Sequence, residues 1–212
     1  MRTDTLLIVG AGGHAKVVVD ALTCDGAAPR PLALADDDVR RRGESMLGVT
    51  VRGPLDEARD GCSSFHIAIG HNRTRERLAQ ACVAAGLAPA TVRHPRTVVA
   101  ASATIGAGSL LAAGAIVGPS AQLGAHCIVN HGAVVDHDCV VGACTHIAPN
   151  ASLGGGVRVG QRVLIGAGAT LLPGVSVGDD CVVGAGAVVI GNLPAGSTFA
   201  GVPAQRLDGR SP

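Results

Sequence analysis

From residue 99 to residue 194 the chain runs as sixteen consecutive six-residue units without an insertion. The first position of each unit is aliphatic, beginning Val99, Ile105, Leu111, Val117, Leu123, Val129 and Val135, and ending Leu171, Val177, Val183 and Val189. If roughly one position in three is aliphatic by composition, chance would give such a run well below ~10⁻⁶ of the time. Four residues after each aliphatic comes a small or compact side chain, such as Ala103, Ser109, Ala115, Ala121, Cys127, Ala133 and Cys139, giving way later to Val157, Val163 and Val175. The position directly after the aliphatic is most often glycine, with Asn130 and Asp136 also there, and these residue types predict a tight corner at that point.

A period of six matches neither the helix nor the alternating strand, but it suits a chain that turns a corner once per unit. Three units close a triangular coil, and successive coils stack at the inter-strand distance, so each aliphatic lies over its counterpart eighteen residues away. The stack is a prism roughly 25 Å tall at ~4.8 Å per coil. Its narrow inside admits aliphatics and little else. Composition agrees, with 31 Gly, two Phe and neither Trp nor Tyr.

Ahead of the prism the pattern changes to alternating strands and helices, with strands at 5–9, 31–35, 65–69 and 90–93 and helices near 14–23 and 74–86. This is a small parallel α/β, Rossmann-like domain over residues 1–95. The all-β prism follows at 96–194 and a C-terminal capping segment at 195–212. Thr5 to Val9 leads into Gly10-Ala11-Gly12-Gly13-His14-Ala15 and a helix, an order that lets backbone N–H groups at the helix start face an anion. Gly10, Gly12 and Ala15 meet the dinucleotide fingerprint, and Asp36 to Asp38 follow the second strand, but the domain has about half the elements of a full dinucleotide fold. A nucleotide or nucleotide-sugar phosphate is therefore expected, and not NAD. Gly70, His71 and Asn72 follow the third strand at the same carboxyl edge, and read either as ligand contacts or as a helix-capping turn.

A formal net charge of +1 without a basic run makes nucleic acid and anionic membranes poor partners. No stretch is long and apolar enough for a membrane, and the start lacks a leader pattern. Seven scattered cysteines, three of them in the small inward slot, read as reduced packing residues of a cytoplasmic protein.

Within the prism, His126, His131, His137 and His146 occupy positions 4, 3, 3 and 6 of their units, none of them an inward slot. His126 reads as a solvated residue, and His131 as a cleft liner or a surface residue. His137 has a carboxylate on each side, Asp136 and Asp138, which suits a general base whose protonated form must be oriented and stabilised. His146 reads as a ligand contact. Consecutive units lie on different faces of a triangle, so these rings meet only if a second chain stands alongside, which predicts a cyclic homotrimer with the active cleft between prisms.

The hexad array, Gly10-Ala11-Gly12-Gly13-His14, Ile67-Ala68-Ile69-Gly70, Val135-Asp136-His137-Asp138-Cys139 and Phe199-Ala200-Gly201-Val202-Pro203-Ala204 together resemble the left-handed parallel β-helix acyltransferases. The likeness is to the two-domain bacterial branch that N-acetylates nucleotide-linked amino sugars, to which sialic acid O-acetyltransferase-like proteins are related. The resemblance implies that His137 removes a proton from the sugar amine as it attacks acetyl-CoA, with Asp138, where some relatives carry Glu, as its partner. It implies that His146 approaches the acetyl carbonyl or pantetheine arm, that the Gly155 N–H faces the oxyanion, and that coenzyme A lies near Ala167 and Ala185. It also implies that Gly12, Gly13, His14, Asp36 and Asn72 hold the nucleotide and sugar, and that no metal is needed, because a base and oxyanion donors suffice for attack on a thioester. Two other enzymatic readings stay open at this point: a sugar or sialic acid O-acetyltransferase on the same scaffold, and a metalloenzyme like the gamma-class carbonic anhydrases, which also set three histidines between prisms. From another class comes a non-catalytic binding protein.

Overall fold

The computed structural model describes residues 4–26 and 30–207, so residues 208–212 of the expected capping segment lie outside it. The chain forms two compact units, Met1–Pro95 and Arg96–Pro212.

The first unit is built on β1 (Thr5–Val9), α1 (Gly13–Thr23), β2 (Leu32–Ala35), β3 (Ser45–Met46), β4 (Val49–Gly53), α2 (Leu55–Ala58), β5 (Cys62–Ile67), α3 (Asn72–Ala84) and β6 (Ala88–Pro89). The strands order as β3-β4-β2-β1-β5-β6, all parallel except for the β3–β4 hairpin. All five residues of β1 are buried, as befits a central parallel strand covered on both sides. Several boundaries differ from the sequence reading. The strand expected at 65–69 starts at Cys62 and ends at Ile67, because Ser64, polar but buried, pairs with Leu6 of β1. β4 was not expected: its alternation of buried Val49 and Val51 with exposed Thr50 and Arg52 is too short to stand out from a loop. The helix expected from 74 begins at Asn72, because His71 caps it. The strand expected at 90–93 is two short pieces, Ala88–Pro89 and Val92–Arg93.

The second unit is a left-handed β-helix of two-residue strands, one per six-residue unit, from Val98–Val99 to Val188–Val189. Each strand pairs in parallel with the one eighteen residues on, so Leu110↔Ile128, Ile128↔His146 and His146↔Leu164 run up the first face. The second face carries Ile116–Val117, Val134–Val135 and Ser152–Leu153, and the third Gln122–Leu123, Val140–Val141 and Arg158–Val159. The core is the stack of first-position aliphatics with the small slot between them: Val129, Val135, Ile147, Ala133, Ala151 and Cys139 are completely inaccessible. Thr198–Ala200 extends the first face by pairing with Val182–Val183, and Gln205–Arg206 folds back on it antiparallel, with Phe199 against the core.

The corner chemistry departs from the sequence reading. The glycines after the aliphatic do not supply a left-handed turn; that conformation belongs to the fourth position, where Gly108, Gly132 and Gly156 alternate with Ser120, His126, Asp138, Cys144 and Asn150 at positive φ. The second-position glycines answer to the coil above. A Cβ on Gly142 would stand 2.5 Å from the carbonyl carbon of Gly160 and 2.6 Å from the Gln161 nitrogen, both backbone atoms that cannot yield. By contrast, a Cβ on Gly156 meets nothing within 4 Å. Gly142→Ala is therefore expected to lower the melting temperature through a lost coil contact of about 1–3 kcal/mol. Gly156→Asn, which keeps a residue tolerant of positive φ, is expected to cost well under half of that. Thermal unfolding of the two variants checks the difference.

Candidate active site

His137 stands at the corner between the second and third faces, between strands Val134–Val135 and Val140–Val141. Both neighbouring carboxylates engage it. The His137 backbone N–H donates to Asp136 Oδ1 at 2.7 Å, and the ring Nδ1 lies 2.8 Å from Asp138 Oδ2. Asp138 is at the left-handed fourth position, φ 59°, and that backbone turn folds its carboxylate back toward the ring. The hydrogen bond that the ring donates to Asp138, helped by the charge of Asp136, holds the imidazole pKa above its ordinary value. A carboxylate on Nδ1 leaves Nε2 as the ring nitrogen that can take a proton from elsewhere.

The ring lies over Gly155 of the next coil: a Cβ there would stand 2.5 Å from both Cε1 and Nε2 of His137. Glycine at 155 is thus what gives the imidazole its seat. The Gly156 N–H bonds to the His137 carbonyl at 2.9 Å, tying the two coils at this corner.

His146 lies on the first face, in the strand His146–Ile147, with its Nε2 3.1 Å from Nδ2 of Asn130 in the coil below. Asn130 is buried, with its Oδ1 accepting the His131 N–H at 2.9 Å. His131 is exposed and begins the corner after the first face, where Ala167 and Ala185 stand eighteen residues apart in the same column, both exposed. His126 is half-buried at positive φ, with its ring against Gly108 of the coil below. His137 therefore stands at the corner opposite the face that carries His146.

Two cysteines lie near His137 in sequence. Cys139 is buried, its Sγ 3.2 Å from the Gly154 carbonyl, and burial raises its pKa. Cys144 is also buried. No group of three or more His, Cys, Asp or Glu side chains set for a metal ion occurs among the described residues.

In the first unit, the glycine turn joins β1 to α1. Gly10 has φ 100°, and a Cβ there would press Ile69 Cγ1 at 2.9 Å, whereas Gly12 and Gly13 are exposed with open space where a Cβ would be. His14 is half-buried. Asp36 is committed to the turn: Oδ2 accepts the Ala11 N–H at 2.9 Å and Oδ1 that of Asp38 at 3.0 Å. Arg41 joins the same knot, donating to the Ala11 carbonyl at 2.6 Å and lying 3.3 Å from Asp36 Oδ2. A cleft of about 120 Å³ opens at this sheet edge, lined by Gly10, Asp36, Asp37, Leu55 and Ile69 among others.

At the second turn Gly70 is half-buried, and His71 is exposed and caps α3, with Nδ1 2.8 Å from Thr74 Oγ1 and accepting the Thr74 N–H. The capping reading of this turn is thus observed. Asn72 is buried, and its Oδ1 accepts from Arg75 at 2.7 Å. The same fully buried Arg75 donates to the carbonyls of Ile69 and Gly70, both at 3.0 Å. Sequence reasoning missed Arg41 and Arg75 as the residues that hold these turns, and Asn130 as the partner of His146. Only Asn130 carried a signal, as an amide in a column whose other members, Ala112, Ala148, Gly166 and Gly184, are small.

Residues 5–82 match the PglD N-terminal domain family, and residues 156–191 match the bacterial transferase hexapeptide family of six repeats. Among solved structures, the chain is 38% identical to a His→Asn variant of perosamine N-acetyltransferase from Caulobacter crescentus in complex with CoA and GDP-perosamine, covering 96% of each chain with a TM-score of 0.89. The acetyltransferase domain of PglB from Neisseria gonorrhoeae in complex with acetyl coenzyme A is 37% identical, covering 96% of this chain and 99% of that one, TM-score 0.89. WeeI from Acinetobacter baumannii is 28% identical, covering 97% of this chain and 100% of that one, TM-score 0.89. No match was found among curated proteins.

The electrostatics of His137 give a direct check. In an NMR titration its midpoint is expected above the ordinary histidine value of about 6.5. Asp138→Asn is expected to bring it down more than Asp136→Asn, because the hydrogen bond outweighs the more distant charge. A larger fall with Asp136→Asn would reverse that order.

Proposed function

The chain belongs to the hexapeptide-repeat acyltransferases with a left-handed β-helix, alongside the perosamine and PglB acetyltransferases, and we propose that it moves the acetyl group of acetyl-CoA to the amine of a nucleotide-linked amino-deoxy sugar. The observation that carries the mechanism is the His137–Asp138 pair seated over Gly155. The neutral sugar amine attacks the thioester carbon, and His137 Nε2 takes the proton the nitrogen sheds. Asp138 holds Nδ1–H and stabilises the imidazolium that results. The tetrahedral oxyanion collapses with cleavage of the carbon–sulfur bond, and CoA leaves as thiolate, taking a proton in turn. Among the described residues the Gly155 N–H has no acceptor, which supports it as an oxyanion donor. Neither Cys139 nor Cys144 is needed, because the attack is direct.

His146 meets the acetyl or pantetheine portion, and CoA follows the column of small residues at Ala167 and Ala185. Because His137 stands at a corner away from the face that carries His146, we assemble the cleft from two prisms of a homotrimer. Gly12, Gly13 and His14 hold the diphosphate at the start of α1, where glycines that no packing demands leave backbone N–H groups open. Asp36 contributes by pinning that turn, and Gly70, His71 and Asn72 frame the other side of the same sheet edge. The reaction belongs in the cytoplasm, where it prepares an acetylated sugar for polysaccharide synthesis. No helix among the described residues is long and apolar enough to cross a membrane.

Assays with acetyl-CoA and GDP-, UDP- and dTDP-linked amino sugars are expected to yield an N-acetyl product with one of them. His137→Ala is expected to lower kcat on the order of 10²-fold or more. The base works as the neutral ring, so the rising limb of kcat against pH should follow the raised His137 pKa and move to lower pH in Asp138→Asn. Acetylation of hydroxyl groups alone, or full activity in His137→Ala, would overturn the reading.

A further inference from the structure

Asn130 is a buried amide in a column of corners where the neighbouring coils carry Ala112, Ala148, Gly166 and Gly184. A buried polar side chain in an otherwise apolar column needs its hydrogen bonds satisfied, and both ends of this one are engaged. The His131 backbone N–H, which can only donate, points at one end from 2.9 Å, so that end is the oxygen. The other end is then the NH₂ group, 3.1 Å from Nε2 of His146. An amide N–H bonds a ring nitrogen only if that nitrogen offers a lone pair. Nε2 of His146 is therefore unprotonated, and the neutral ring keeps its proton on Nδ1. Protonating Nε2 would set two donors against one another.

We infer that Asn130 is a positioning residue that locks His146 as the neutral Nδ1–H tautomer, so that His146 serves acetyl transfer as a hydrogen-bond donor through Nδ1 and never as a second base through Nε2. This rests on the acetyltransferase reading for its catalytic meaning, but not for the tautomer. The contrast with His137 is chemical: there Nδ1 faces a carboxylate, which invites a proton onto the ring, whereas His146 faces an amide donor, which keeps one off. The two histidines thereby divide proton acceptance from hydrogen-bond donation.

The test is a long-range ¹⁵N–¹H spectrum of ¹⁵N-histidine-labelled full-length protein, with the His146 resonances identified by their loss in His146→Gln. The expected result is an unprotonated Nε2 and a protonated Nδ1 in the wild type. In Asn130→Asp, a near-isosteric change that puts an acceptor beside the ring, Nε2 is expected to gain a proton. A protonated Nε2 in the wild type would overturn the proposal, and so would an Nε2 left unchanged by Asn130→Asp. In acetyl-transfer assays Asn130→Ala is expected to lose about 10-fold or more in kcat with little change in KM for acetyl-CoA. An unaltered kcat there would remove the positioning role. A wild-type protein that transfers no acetyl group would sink the enzymatic reading, and the spectrum would still decide the tautomer.

Discussion

The main-chain ladder between coils eighteen residues apart is the constraint on which the second unit depends. It holds successive coils so close that Gly142 has no room for a Cβ, and so narrow inside that only aliphatics and small residues fit. The same closeness creates the site. His137 of one coil can lie over Gly155 of the next only because the ladder sets their separation, and Asn130 reaches His146 for the same reason. Chemistry on such a prism consists of side chains placed at corners, with the register of the backbone acting as the ruler.

Two histidines on one scaffold acquire different properties from their partners alone. Asp138 and Asp136 surround His137 with negative charge and favour its protonated form, which suits a group that must accept a proton in the transition state. His146 is met by a neutral donor. The first unit follows a related logic with other groups: Asp36 and Arg41 fix the glycine turn after β1, while buried Arg75 fixes the turn after β5 by gathering two carbonyls and the Asn72 side chain. Side-chain hydrogen bonds tie both turns to their own unit, and a turn held in that way costs less entropy to order around a ligand.

The prism was legible in the sequence because its period is enforced at every coil, and a misplaced residue at Val129 or Val135 would have nowhere to go. His137 was legible because two carboxylates flank it in the chain itself. What stayed hidden depended on contacts distant in sequence. The reason for glycine at 142 or 155 lies eighteen residues away, in a backbone carbonyl or an imidazole ring, and no local pattern reveals it. Strand β4 escaped because two buried valines are a weak signal, and nothing in the chain announces the bond from the Ala11 N–H to Asp36. Turn positions were misassigned for a plain physical reason: glycine serves both positive φ and close approach, and sequence alone does not separate the two uses.

The central claim is that the working cleft takes His137 from one chain and His146 from its neighbour. Co-expressing His137→Ala with His146→Ala in equal amounts tests it most directly, since each variant alone lacks a group in every cleft. Random assembly of a trimer leaves about one interface in four with both histidines intact, so the mixture is expected to recover about a quarter of wild-type acetyl transfer. A mixture no more active than the two variants measured separately would contradict the shared cleft and return the whole site to a single chain.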